Sequence, residues 1–206
     1  MKITEKGMLV VISGPSGCGK STVVSNILAR SDNYALSVSL TTREKREKEI
    51  DGVHYSFVTR EKFLEAIEND ELLEYAEYNH NLYGTPIKPV LDMLDEGTNV
   101  ILEIEMQGAR QVIEKLPDTV TILIISPSYR ELEERLRSRK TDTEENIRAR
   151  LEIAKREMKS YENYGYVIIN QAGQSDDAAL DIINIVESER HRTSRNTTIP
   201  EEFFEN

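Results

Sequence analysis

One cysteine, three histidines and no long apolar run remove several classes of function before any motif is read. Cys18 alone cannot form an internal disulfide, which fits a reducing cytosol. The start, Met1-Lys2-Ile3-Thr4-Glu5-Lys6-Gly7, has neither the long apolar region nor the small-residue cleavage site of a signal peptide. No apolar stretch approaches the roughly 20 residues of a membrane span, so the expected location is cytoplasmic, without membrane contact. His54, His80 and His191 are scattered and read as surface residues; nothing suggests a metal cluster or a catalytic triad. Positive charge is also short. Against 37 acidic residues stand 26 lysines and arginines, a net charge of -11 with a pI near 4.9. So acidic a surface repels a polyphosphate backbone, which argues against a nucleic-acid partner. A small phosphorylated substrate is still possible, because a few clustered arginines reverse the sign inside one cleft.

What is present describes a folded protein. The 206 residues are 38% hydrophobic and 31% charged, with both signs spread along the chain. Domains run roughly 100–200 residues, so one domain, or one with insertions, is expected. Met8-Leu9-Val10-Val11-Ile12 is a short β-branched apolar run that reads as a buried parallel strand. A glycine-rich turn and a helix from Lys20 to Arg30 follow, the opening half of a βαβ unit. Further strands are expected at Asn99–Ile104, Val120–Ile125 and Tyr166–Asn170. Helices are expected at Pro86–Glu96, Ala109–Lys115, Ser128–Ser138, Glu144–Ser160 and Asp176–Arg190. Thr85 before Pro86, the pairs Ser128…Glu131 and Thr141…Glu144, and Ser175 supply their caps. This alternation implies a three-layer α/β sandwich around a parallel sheet. Residues 35–83 break the rhythm. Short alternating segments (Ala35–Ser39, His54–Val58, Leu72–Tyr78) surround one helix near Glu61–Asn69, as in a small, mostly antiparallel insertion. The segment Arg135–Arg150 is polar and arginine-rich, as expected of a mobile flap, and the tail from Thr193 is expected to fray.

Gly14-Pro15-Ser16-Gly17-Cys18-Gly19-Lys20-Ser21 matches the phosphate-loop pattern at every fixed position. Its glycines let backbone N–H groups turn inward around a phosphate, and the following helix points its positive end at the same oxygens. Lys20 is placed to reach the β- and γ-phosphates, and the Ser21 hydroxyl to ligate Mg²⁺. A glycine-rich turn can merely join strand to helix, but here both flanking elements are present. The motif implies a bound nucleoside triphosphate without saying what is done with it. Cys18 fills a variable position and reads as a small residue, not a nucleophile.

A second group of residues starts at Ser39-Leu40-Thr41-Thr42-Arg43-Glu44-Lys45-Arg46 and passes through Asp51-Gly52-Val53-His54-Tyr55. It continues with Glu74, Asn81-Leu82-Tyr83-Gly84-Thr85 and Leu102-Glu103-Ile104-Glu105-Met106-Gln107-Gly108-Ala109-Arg110. At these positions the chain resembles the guanylate kinase family, in unbroken order from about Met8 to Asn170.

The resemblance implies an α/β phosphate-loop kinase with a parallel central sheet, an inserted GMP-binding domain and a helical lid. Its divisions fall at 1–35 (core with the phosphate loop), 36–90 (GMP-binding insertion), 91–128 (core), 129–155 (lid) and 156–206 (core, last helix and tail). Arg43 and Arg46, with the hydroxyls of Tyr55 and Tyr83, would clamp the GMP phosphate, while Ser39, Glu74, Gly84, Thr85 and Glu105 surround the guanine. Arg135, Arg139 and Arg150 would descend with the lid onto the phosphates. Asn170 would lie near the adenine of ATP, and Glu103 would face magnesium through water. The family frequently has aspartates where this chain has Glu103 and Glu105; the added methylene shifts each carboxylate outward. The family's proline- and glycine-rich connection after the first clamp arginine is here Glu44-Lys45-Arg46-Glu47-Lys48, so a more flexible loop is expected.

The residue types make chemical sense on their own. Arginines grip a phosphate dianion with paired N–H donors, and tyrosine hydroxyls add neutral ones. Guanine offers N1–H and N2–H₂ to a carboxylate such as Glu74, beside an O6 acceptor for a hydroxyl such as Thr85. Adenine would strand both groups, at on the order of 1–3 kcal/mol for each buried polar group left unpaired, so AMP should be rejected. Each residue also has an ordinary role open to it. Arg43 and Arg46 sit in a run of alternating charge that suits a solvated loop. Tyr55, Tyr83 and Glu74 lie in alternating strands where half-burial is usual. Arg135 and Arg139 could pair with Glu131 or Glu134. Co-occurrence with an intact phosphate loop favours a direct in-line transfer from ATP to GMP (or dGMP), with Lys20, Arg43, Arg139 and Arg150 supplying positive charge. Two other readings stay open: a guanylate kinase-like module that binds phosphorylated peptides without catalysis, and a kinase of another phosphorylated acceptor such as a ribose bisphosphate. The sequence leaves the oligomeric state open.

Overall fold

The computed structural model describes residue 3 and residues 5–78, 80–138 and 142–205. Its centre is a five-stranded parallel sheet built from β1 (Leu9–Ser13), β2 (Tyr34–Leu36), β7 (Asn99–Glu103), β8 (Val120–Ile125) and β9 (Tyr166–Ile169). The order is β2-β7-β1-β8-β9, with β1 between β7 and β8. All five residues of β1 are buried, as expected for a central strand covered on both faces.

Alternation along the strands separates two cores. Val10, Ile12, Ile101, Ile122, Ile124 and Ile168 face α1 (Lys20–Arg30) and α7 (Ser175–Arg190). Leu9, Val11, Val100 and Leu102 face α3 (Ile87–Asp95) and α4 (Met106–Lys115). Each such side chain removed from water contributes roughly 1.5–3 kcal/mol, which holds the three layers together. Val90 and Leu94 seat α3 on the large sheet, so a division at residue 90 falls inside a helix that packs there.

A second, four-stranded sheet has the order β4-β3-β6-β5, formed by β3 (Leu40–Thr41), β4 (Ser56–Phe57), β5 (Leu72–Tyr78) and β6 (Asn81–Pro86). Only β3 and β4 run parallel; the other pairs are antiparallel. Helix α2 (Arg60–Glu68) covers it through Phe63 and Ala66, over Leu72 and Leu82. Two helices, α5 (Tyr129–Ser138) and α6 (Glu144–Glu157), pack on each other through Leu132, Leu136, Ile147, Leu151 and Ala154.

Several local expectations need correction. The segment expected as Ala35–Ser39 in the small insertion overlaps β2, Tyr34–Leu36, which pairs in register with Asn99–Ile101 of the large sheet. Three residues carry too short a pattern to announce which sheet they join. Thr143, not Thr141, caps α6, its hydroxyl accepting from the Asn146 N–H at 3.3 Å; Thr141 lies outside the described residues. Pro86 occupies the cap position of α3, while Thr85 belongs to β6. Ser175 is the first residue of α7, after Gln174. Ser128 does cap α5, accepting from the Glu131 N–H at 3.1 Å.

The tail is ordered instead of frayed, with a 3₁₀ turn at Thr193–Arg195 and α8 at Ile199–Glu205. Its anchor is Glu189, 5% exposed, which accepts from Tyr166, Arg192 and Arg195. No described helix is long and apolar enough to cross a membrane.

Candidate functional site

The phosphate loop leaves the carboxyl end of the central strand β1, where parallel-sheet proteins place their ligand crevice. Gly19 stands at the cap of α1 with φ 94°, and a Cβ there would come within 2.3 Å of Asn170 Nδ2. Only glycine fits both constraints. The Lys20 ammonium bends over the loop and donates to the carbonyls of Gly14 at 2.5 Å and Pro15 at 3.3 Å. The Ser21 hydroxyl donates to Glu103 Oε1 at 2.6 Å, so the glutamate reaches the first residue pair of α1 despite its longer side chain. Cys18 is buried, and burial raises its thiol pKa, which keeps it inert.

Helices α5 and α6 close one side of this loop. Arg135 donates to the Cys18 carbonyl at 3.2 Å, to the Asn170 carbonyl at 2.7 Å and to Glu131 Oε1 at 2.5 Å. The ordinary i,i+4 pairing and the contact with the phosphate loop are therefore both present. Asn170 donates to the Cys18 carbonyl at 2.8 Å, and its Oδ1 is buried with no partner among the described residues. Arg150 donates to the Ser16 hydroxyl at 2.6 Å and to Asp142 at 3.3 Å. A Cβ on Gly17 would meet Leu136 at 2.9 Å, so helix α5 rests directly on the loop. Arg139 lies outside the described residues.

The small sheet presents a second cluster. Glu74 on β5 is 5% exposed, and Thr85 opposite it on β6 is fully buried. The Thr85 hydroxyl donates to Glu74 Oε1 at 2.7 Å. Burial raises the carboxyl's pKa, and the Thr85 bonds only partly oppose that shift. Beside them Gly84 is buried between β3 and β5. Tyr55 and Tyr83 meet edge to face, ring centres 5.9 Å apart. Burial, then Tyr83, raises the Tyr55 hydroxyl's pKa. The Arg43 guanidinium lies 5.6 Å from the centre of the Tyr55 ring. Ser39 is half-buried just before β3, and its carbonyl accepts from the Ser56 N–H at 2.9 Å. Arg46 is exposed on the loop after β3, and Glu105 is exposed at the cap of α4.

The two clusters meet at one junction. Glu103 ends β7 against Ser21, and Glu105 then opens α4. Three residues on, Gly108 lies so close to Glu74 that a Cβ would sit 2.5 Å from Oε2. Gln111 of the same helix donates to the Tyr75 carbonyl at 2.9 Å and accepts from the Tyr75 N–H at 3.2 Å.

Three participants were missed by sequence reasoning. Gly108 stood inside a quoted motif, but only folding reveals that it makes room for a carboxylate. Glu49 looked like one charge in a run, yet it binds Arg43 through both oxygens, at 2.7 and 3.1 Å. Glu157, at the end of α6, has a buried Oε2 without a partner among the described residues. Burial raises its pKa, with Lys20 as the opposing charge. No spacing signal marked it. Among the described residues, no group of three or more His, Cys, Asp or Glu side chains could hold a metal ion alone.

Comparison with known proteins adds independent findings. The family model described as Guanylate kinase matches residues 6–189. The chain is 44% identical over 200 residues to a guanylate kinase of Clostridioides difficile (strain 630), covering 97% of each chain. It is 47% identical over 191 residues to one from Lactococcus lactis subsp. lactis, covering 93% of this chain and 92% of that one. Among solved structures, guanylate kinase from Anaplasma phagocytophilum is similar with a TM-score of 0.72 and 37% identity, over 92% of this chain and 89% of that one.

Proposed function

The chain belongs to the guanylate kinase family, and from that premise we propose that it transfers the γ-phosphoryl group of ATP directly to a phosphate oxygen of GMP, releasing ADP and GDP. The observation that carries this assignment is the junction Glu103–Gly108. One strand end and the first turn of one helix touch both the phosphate loop, at Ser21, and the buried carboxylate Glu74. A triphosphate cradle and a purine-reading pair are thereby built against the same short segment.

Each anion has its own receptor. On the donor side, the loop from Gly14 to Ser21 holds the triphosphate, with Lys20 over it and Arg135 and Arg150 at its rim. Asn170, with its unpartnered buried Oδ1, offers an acceptor beside the loop that suits an adenine amino group. The acceptor phosphate falls to Arg43 and Arg46, with the Tyr55 and Tyr83 hydroxyls. Guanine recognition then proceeds by exchange. The N1–H and N2–H₂ groups replace Thr85 as donors to Glu74, and the freed Thr85 hydroxyl donates to O6. Ser39, Gly84 and Glu105 border the same base.

Phosphoryl transfer needs alignment and positive charge more than covalent help. Lys20 and Arg150 concentrate charge at the donor end, joined by Arg139 when the lid is down. Arg43 neutralises the acceptor so that one anion can approach another. Ser21 and Glu103 are adjacent oxygen donors at the loop, which fits a hard cation that keeps part of its water shell. Magnesium held there would neutralise charge on the β- and γ-oxygens. Closure of the lid (129–155) and of the small sheet with α2 (40–86) excludes water, which would otherwise compete as nucleophile.

A coupled assay of ADP formation, with GMP, dGMP, AMP and ribose phosphates compared as acceptors, tests the assignment. GMP and dGMP are expected to be consumed, and AMP to be slower by roughly a hundredfold or more. Absence of GMP-dependent turnover, or equal use of AMP, overturns it.

A further inference from the structure

The loop after Arg43, Glu44-Lys45-Arg46-Glu47-Lys48, carries the second clamp arginine and contains no proline to stiffen it. It is nonetheless tethered, by a single side chain. Glu49 Oε1 accepts from Arg43 NH2 at 2.7 Å, and Oε2 accepts from Arg43 NH1 at 3.1 Å. The same Oε2 accepts from the Arg46 backbone N–H at 2.8 Å, while the Glu49 N–H donates to the Arg46 carbonyl at 3.0 Å. Both members of the ion pair are only 15% exposed. Arg43 is held further by the Glu44 carbonyl at 2.7 Å and by the Tyr55 and Phe57 rings, 5.6 and 5.8 Å from its central carbon.

We infer that Glu49 is a positioning residue for the acceptor phosphate: it locks the Arg43 guanidinium and the Arg46 backbone into one preformed clamp. A guanidinium has two donor edges. Glu49 occupies the NH1–NH2 edge, and the Tyr83 hydroxyl also bonds the guanidinium, so the Nε edge is the one open to an oxyanion, beside that hydroxyl. Freezing this long side chain before the acceptor arrives removes an ordering cost from the binding step. Doing so with a carboxylate stabilises the cation that must meet the phosphate. The Arg43 bonds, then the Arg46 N–H, hold the Glu49 carboxyl at a pKa of about 2, so the tether stays charged at neutral pH. The residue acts through the arginines and does not itself face the reacting atoms.

This inference rests on the proposal that Arg43 grips the acceptor phosphate, and the test separates the two. Wild type, Glu49→Gln and Arg43→Ala are assayed as full chains with GMP and ATP varied in turn, and with guanosine, which lacks the phosphate, as a competitive probe. In Glu49→Gln the KM for GMP is expected to rise about tenfold or more, as for loss of a hydrogen bond between charged groups. The KM for ATP and the inhibition constant of guanosine are expected to stay at wild-type values, while the Tm falls modestly because the folded state loses the contribution of the ionised carboxylate. An unchanged KM for GMP overturns the inference, and a lowered one does too, because the carboxylate would then be competing with the acceptor. Parallel weakening of guanosine and of ATP also overturns it, since Glu49 would then merely hold the loop together. If Arg43→Ala leaves the GMP requirement unchanged, the clamp assignment itself fails; if Arg43→Ala weakens GMP and Glu49→Gln does not, only the role of Glu49 fails.

Discussion

Replacing Glu74 by glutamine should make the unliganded protein more stable and the enzyme much worse. Glu74 is 5% exposed, its Oε2 lies against Gly108, and the Thr85 hydroxyl donates to Oε1. Desolvation dominates, so its carboxyl pKa is raised in the folded protein. A carboxyl with a raised folded pKa favours folding at low pH, where both states are protonated. That contribution is lost as pH rises through the folded value and an ionised group has to be kept buried. Glutamine has the same shape, still accepts from Thr85 through its amide oxygen, and never ionises. The gain at pH 8 is about 1–3 kcal/mol, the usual scale of a buried polar group short of partners. For a chain of this size that corresponds to a rise in Tm of roughly 2–10 °C. Near pH 4 the gain should vanish. Activity moves the other way. The amide nitrogen opposes a guanine donor with a second donor, and one charge-assisted bond is lost. Together these cost about 2.5–6 kcal/mol, or roughly 10²- to 10⁴-fold in kcat/KM for GMP. Thermal denaturation of both proteins from pH 4 to pH 8, with kinetics on GMP and AMP, measures both effects. A Tm difference that is absent at pH 8, or the same at every pH, refutes the electrostatic argument. A loss on GMP below about tenfold refutes the base-reading role.

Two further substitutions probe the donor site and the junction. Lys20→Ala is expected to abolish turnover while circular dichroism and Tm stay at wild-type values, because Lys20 is half-buried and bonds only the loop's own carbonyls; residual activity above about one part in a thousand would remove Lys20 from the charge on the transferred group. Gly108→Ala should push Glu74 out of place, since the new Cβ falls 2.5 Å from Oε2. The KM for GMP is then expected to rise while the KM for ATP stays put, and equal weakening of both would show that the helix has shifted as a body.

The comparison between sequence and structure divides along a physical line. Lys20–Arg30 and Val120–Ile125 have the bounds that their patterns announce. Each is set by a local signal: a phosphate loop opening a helix, and a run of mostly β-branched residues between polar ones. The candidate residues were legible for a similar reason. Short motifs keep chemistry-bearing residues in a fixed order, and the family resemblance assigned roles to that order.

Where partners lie far apart in sequence, the pattern fell short. Tyr34–Leu36 carries too few residues to reveal that it completes the large sheet beside β7, and the start of the polar tail is tied down by Arg195, which donates to Glu189, 5% exposed, beside Arg192. Arg43 also had the role of a solvated loop charge open to it, and only folding shows that Glu49, six residues on, closes on it. The sequence by itself determined the layered α/β class, the phosphate loop and the candidate residues of an acceptor site, because hydrophobic period and backbone chemistry act over a few neighbouring residues. The tertiary structure alone decided that Gly108 approaches Glu74, that Glu103 meets Ser21 and that Glu49 ties both clamp arginines, because those contacts depend on which surfaces are brought together when the two sheets and the lid pack.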